Sequence, residues 1–147
     1  MKVDILSDLH LDFYYKPHLT ISESIASFFK LVFTDDETRK VGDVLIIAGD
    51  IGHYNEQNIE VLKIFQKKFY KHIICVLGNH DYYLVDNEAK YTFENNSFKR
   101  VEDMRKLINQ EKNMYCLDGK VIEIEGIRFG GADGWYDGSL ECWLAQN

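Results

Sequence analysis

Three short apolar runs, each breaking off into charged or amide side chains, restrict what this chain can fold into more than any other feature. Val3 to Ser7 reads as a short strand, and Val44 to Ala48 (VLIIA) and Ile73 to Leu77 (IICVL) are nearly continuous apolar runs rich in β-branched residues. Runs that are apolar at successive positions belong to strands covered on both faces, because alternate side chains point to opposite sides of a sheet. Helical periodicity fills the intervals. Ile21, Ile25, Phe28, Phe29 and Val32 share one face behind a Thr20–Glu23 pair with capping-box spacing. Val61, Leu62, Phe65 and Phe69 form a second stripe, and Val101, Met104, Leu107 and Ile108 a third. Strand, helix, strand, helix, strand predicts an α/β layered fold with a partly parallel sheet. Farther on, Val121 to Glu123 and Ile127 to Phe129 flank Glu125-Gly126, a hairpin signal, while the polar stretch Asp86 to Asn96 reads as an exposed loop.

Length and composition bound the rest. At 147 residues and 46% hydrophobic, the chain is expected to bury one core, with residues 1–147 as a single domain; it has no repeat and one proline, Pro17. A net charge of −7 opposes non-specific duplex binding, which needs a cationic surface, although bound divalent cations reverse the field locally and leave nucleic acid open as a substrate. Cys75, Cys116 and Cys142 are odd in number and irregular in spacing, which fits idle thiols in a reducing compartment. The opening MKVDILSD places acids where a signal peptide needs an unbroken apolar segment, and no stretch has the length of a membrane span, so the expected location is cytoplasmic with no membrane partner.

The polar residues that end the strands carry the chemistry. Asp8-Leu9-His10 follows the first strand, Gly49-Asp50 the second, and Gly78-Asn79-His80-Asp81 the third. Ligands bind beyond the carboxyl ends of strands in open α/β sheets, so three separate segments converge on one edge. The donors are mixed: two imidazoles, carboxylates and one neutral amide oxygen. A carboxylate such as that of Asp50 has two oxygens with which to bridge two cations, and Asn79 adds a donor without more charge.

These motifs, D8-L-H10, G49-D50 and G78-N-H-D81 in that order on hydrophobic strands, resemble those of the calcineurin-like metallophosphoesterases. The stretch IEGIRFGGADGW, Ile124 to Trp135, is similar to the strand pair that follows in small bacterial and phage members. The resemblance implies a layered α/β/β/α sandwich and a metal-dependent phosphoesterase that hydrolyses phosphoric esters with a metal-bridged hydroxide, acting on a nucleotide or another small phosphate ester. It implies that Asp8 and His10 hold one ion, that Asp50 bridges, and that Asn79 holds a second. Manganese, iron or zinc would fill these positions. It further implies that His80 stabilises the transition state or protonates the leaving oxygen, with Asp81 orienting its ring.

The pattern then departs from the family, whose remaining ligands are a lone histidine and a Gly-His-x-His motif, because no histidine follows His80. The expectation is an amino-terminal part of a longer enzyme, incomplete at the carboxyl end of the sandwich. It would hold one ion or none in place of two, and self-associate through an uncovered sheet face. A second class of function, a non-catalytic partner-binding module on the same fold, stands beside the enzyme. His53, close behind Asp50, is a further candidate for the substrate or metal loop. His18 and His72 read as solvent-facing, Tyr82, Tyr83 and Trp135 as packing or base-stacking groups, and Asp133 and Asp137, among glycines, as turn residues.

Overall fold

The computed structural model describes residues 1–14, 19–24, 26, 28 and 41–134. Expectations on His18, Ile25, Phe29, Val32, Trp135, Asp137 and Cys142 lie outside these residues. Strands β1 (Val3–Leu6), β2 (Val44–Ala48), β3 (His72–Val76) and β4 (Met114–Cys116) form one parallel sheet in that order. Val3 pairs with Val44, Val44 with His72, and Ile73 with Met114. Helix α1 (Ile21–Ser24) precedes β2, α2 (Asn55–Lys68) joins β2 to β3, and α3 (Asn87–Thr92) and α4 (Ser97–Gln110) lie between β3 and β4. An antiparallel hairpin, β5 (Lys120–Ile124) and β6 (Ile127–Gly131), forms a second sheet.

Both faces of β2, β3 and β4 are covered, which explains the unbroken apolar runs, whereas β1 leaves Val3 and Ile5 exposed. Leu45, Ile47, Ile73, Cys75, Met114 and Cys116 pack with Val61, Leu62 and Phe65 of α2 and Val101, Met104 and Ile108 of α4 in the main core. Alternate residues Val44 and Ile74, with Ile46, Val76 and Tyr115, meet Ile122, Ile124 and Phe129 of the hairpin in a second cluster. Helices, parallel sheet and hairpin are therefore three stacked layers of a mixed α/β fold. Each fully buried aliphatic or aromatic side chain here contributes roughly 1.5–3 kcal/mol, and the helix stripes were spaced to do so. Among the described residues no helix is long and apolar enough to cross a membrane.

Local chemistry fixes the element ends. Thr20 and Glu23 form the expected capping box: the Thr20 amide donates to Glu23 Oε2 at 2.9 Å, and the Glu23 amide to Thr20 Oγ1 at 3.2 Å. The expected loop at Asp86–Asn96 instead contains α3, capped by Asp86 accepting from the Ala89 amide at 2.7 Å, and ends at the cap of α4, where Asn96 accepts from the Phe98 amide at 3.0 Å. Helix α3 buries Ala89 alone, so no apolar stripe announced it. His72 is not a free surface group: it sits half-buried in β3, its ring stacked on Tyr115 with centroids 6.3 Å apart.

Candidate metal centre

The ladder between β1 and β2 continues past the strand ends and carries the site residues together. The amides of Asp8, His10 and Leu11 donate to the carbonyls of Gly49, Asp50 and Ile51 at 3.2, 3.0 and 2.9 Å. To make these bonds Asp8, His10 and Asp50 take positive φ values of 53°, 43° and 54°. That conformation costs a non-glycine residue on the order of 1–3 kcal/mol, so surrounding structure must enforce it. Glycines permit the close approach. A Cβ at Gly78 would lie 2.2 Å from Asp50 Oδ1, and one at Gly49 would lie 3.0 Å from the Gly78 backbone.

Asp81 and Arg100 supply the enforcement. The buried Asp81 carboxylate accepts the amides of Asp50 and Gly78 on one oxygen, both at 2.9 Å, and those of Ile51 and Gly52 on the other, at 3.0 and 3.5 Å. One side chain thus ties the loop after β2 to the loop after β3. Burial pushes its pKa up, opposed by the Gly78 amide and the Arg100 charge. Arg100, on α4, is 1% exposed and donates to the carbonyls of His80, Asp81 and Tyr83 from Nη1 and of Gly52 from Nη2, at 2.5–3.0 Å. Nothing in the motif reading pointed to Arg100. The signal was its place four residues before Met104 on the apolar stripe, where a charge needs buried partners.

Within this frame one donor atom each from His10, Asp50 and His80 lie within 4.8 Å of one another. Among the described residues Asp8 does not join that group, although it stands two residues from His10. Asp50 is 8% exposed and accepts the His80 amide on Oδ1 at 3.0 Å. The His10 and His80 rings meet edge to face with centroids 4.7 Å apart, and His10 Nδ1 is buried without a hydrogen-bond partner. Two imidazoles and a carboxylate that converge in this way are a donor set that fits a borderline divalent cation. Asn79 is half-exposed; its amide nitrogen donates to the Tyr83 hydroxyl at 3.0 Å, which leaves Oδ1 as the atom available to a cation.

The Asp81 carboxylate is engaged by the backbone amides of both loops, and the side chain within hydrogen-bond distance of His80 Nδ1 is that of His53. His53 Nε2 lies 3.3 Å from His80 Nδ1, and His53 Nδ1 lies 3.2 Å from Asp12 Oδ2. Burial pushes the His53 pKa below its ordinary 6.5, more than Asp12 raises it. Asp12 escaped sequence reasoning, although it continues the alternation of Asp8 and His10. Beside His53 opens a cleft lined by Tyr54, Glu56, Asp86 and Asp103, whose acids repel a phosphate ester unless a cation intervenes.

Of two further expectations, the packing role holds for Tyr82 and the turn role does not hold for Asp133. Tyr82 packs on the main core and its hydroxyl donates to Asp133 at 2.8 Å, so it is a structural aromatic. Asp133 is not a turn residue: it accepts the Leu77 amide at 3.0 Å and pairs with Arg105. Cys75 and Cys116 are buried free thiols; burial raises both pKa values, that of Cys116 to about 12. The sequence profile of the calcineurin-like phosphoesterases matches residues 1–146. A search of curated proteins finds no match.

Proposed function

This chain belongs to the calcineurin-like phosphoesterase family, and we propose that it is a hydrolase of phosphoric esters whose working centre is built on His10, Asp50 and His80. The observation that carries this reading is the convergence of those three donors within 4.8 Å, from three segments that follow three parallel strands. A divalent cation held there supplies Lewis acidity toward a phosphoryl oxygen and toward water. Asp8, His10 and Asp50 would hold it, the Asn79 carbonyl extends the set toward a second ion, and manganese, iron or zinc suits nitrogen and carboxylate donors together. The remaining work belongs to the protein. His80 stabilises the charge that builds on the ester or returns a proton to the leaving oxygen, and Asp81 holds the loops so that Asp50 and His80 keep their separation. The substrate is a nucleotide or another small phosphate ester.

Asp50→Asn tests this. Manganese-dependent hydrolysis of p-nitrophenyl phosphate and its diester should fall by at least about a hundredfold, with loss of manganese binding in titration calorimetry. Unchanged turnover would sink the reading. A second reading is a partner-binding protein on the same fold; manganese binding by the native chain with no turnover on either ester would favour it.

A further inference from the structure

We propose that the cleft beside His53 is a substrate subsite for a positively charged amine, so that the preferred phosphoric esters carry an ammonium group on their organic part. The ester in this statement rests on the phosphoesterase reading above. The cleft, of about 590 Å³, is bounded by the first turn of α2, by α3 with the Asp86 cap before it, and by Asp103 of α4. His53 lies in its wall and 3.3 Å from His80, so the cleft adjoins the candidate centre.

Its chemistry is one-sided. Glu56, Asp86, Glu88 and Asp103 supply four carboxylates, and among the described residues no lysine or arginine lines the cleft. Local bonds engage part of this set: Asp86 caps α3 and meets the Tyr54 hydroxyl at 3.3 Å, and Asp103 Oδ2 accepts from Asn55 Nδ2 at 2.9 Å. Neither bond neutralises a charge. The start of α2 brings about half a positive charge, far short of the four carboxylates, so the field in the cleft stays negative.

An independent observation comes from the wall itself. Asn55 and Gln57 line the cleft at 6% and 3% exposure, and their Oδ1 and Oε1 atoms are buried without a hydrogen-bond partner. Their NH2 groups are already engaged, donating to the carbonyls of Arg100 and Leu11 at 2.9 Å. A buried carbonyl lacking a donor is costly, so this wall gains from a ligand that donates.

Metal ions are the poorer occupant. Among the described residues no three of these carboxylates bring oxygens within 4.8 Å of one another, as His10, Asp50 and His80 do with their donors, so the acids are spread around a cavity. Tyr54 and Phe93 add aromatic rings, which attract organic cations. An ammonium on a carbon chain meets all three features: its charge suits the carboxylates, its N–H groups the carbonyls, and its carbons the rings. A second phosphate on the organic part is repelled.

The manganese-loaded chain tests this on p-nitrophenyl 2-aminoethyl phosphate and its 4-aminobutyl homologue, against the propyl and pentyl esters in which CH3 replaces the ammonium. At low salt at least one amine should be preferred in kcat/KM by about three- to tenfold, chiefly through KM, and the preference should shrink as ionic strength rises. A preference under about twofold at both lengths, within the yield of one exposed ion pair, would overturn the proposal. Glu56→Gln and Asp103→Asn should bring the ratio toward one, whereas Glu102→Gln, exposed on α4 and outside the cleft, should leave it unchanged. An equal fall in Glu102→Gln would show that net charge, and not the cleft, makes the preference. If p-nitrophenyl phosphate and all the diesters resist hydrolysis, the phosphoesterase reading fails and the cleft is judged by binding. In nitrogen-15 spectra of the metal-free chain, butylammonium should shift the amides of Asn55, Glu56 and Asp103, and butanol should not. Absence of those shifts would overturn the amine subsite; their presence in an inactive chain would count against the ester reading alone.

Discussion

At the carboxyl edge of the parallel sheet three charged side chains, Asp50, Asp81 and Arg100, are buried, whereas the strands of the β5–β6 hairpin bury only Ile124 and leave Val121 and Ile127 at 55% and 49% exposure. The two regions are specified by different physics. At the edge, Asp81 and Arg100 bond to backbone amides and carbonyls of two loops, so the chain path is fixed by directional contacts, each unforgiving of a lost partner. The hairpin rests on an apolar cluster and on its turn, and a two-stranded ribbon is at best marginal by itself. A candidate centre that needs donors within a few ångströms sits on the first kind of region, and strained φ values at Asp8, His10 and Asp50 persist there because the surroundings over-determine them.

Removing Arg100 should break the contrast most severely. Arg100→Met keeps much of the side-chain volume but strips donors from the carbonyls of Gly52, His80, Asp81 and Tyr83 and leaves the Asp81 carboxylate without its nearby cation. Loss of about 3–5 kcal/mol is expected in urea unfolding, the range for orphaning a buried charge. A loss under about 1 kcal/mol would mean that these carbonyls find other partners, and the edge would be no better fixed than the hairpin.

Asp81→Asn is the milder cut at the same place. One oxygen becomes an NH2 group facing two amide donors, so two bonds are lost and like groups meet. We expect about 1–3 kcal/mol and weaker manganese binding, because Asp50 is held through its own amide by Asp81. Stability lost with manganese affinity unchanged would separate the frame from the site.

The sequence made the periodic parts legible and the long-range ones obscure. Strands β2 and β3 stood out because both of their faces are buried, and the Thr20–Glu23 box and the Glu125-Gly126 turn because their chemistry is local. The motif residues were found by position, since any strand end in such a sheet is a place for ligands. Asp12, Arg100 and Asp133 were missed for one reason: each acquires its role from partners far along the chain. Asp12 meets His53 across 41 residues, Arg100 meets Gly52 across 48, and Asp133 meets Leu77 across 56. For Asp133 the neighbouring glycines gave a louder local signal than its true contacts. Helix α3 was missed because a helix burying one alanine has no stripe to read.

The hairpin offers the smallest and most local test. Ile124 pairs with Ile127, so Glu125 and Gly126 form a two-residue loop, and both have positive φ, 50° and 79°. Positive φ at both loop positions is the signature of a type I′ turn, whose twist suits a hairpin and whose preferred sequence is Asn-Gly. Glutamate in that conformation brings its Cβ against the carbonyl that follows, whereas asparagine tolerates it. Glu125→Asn should therefore stabilise the hairpin by about 0.3–1 kcal/mol. Global melting would blur so small a change, and local opening reports it better. Amide exchange in β5 and β6 should slow by about two- to fivefold, while the amides of Asp50, Ile51 and Gly78 at the edge keep their rates. Equal slowing in both regions would show that hairpin and edge open as one cooperative unit, in which case polar bonding at the edge confers no separate rigidity on the candidate centre.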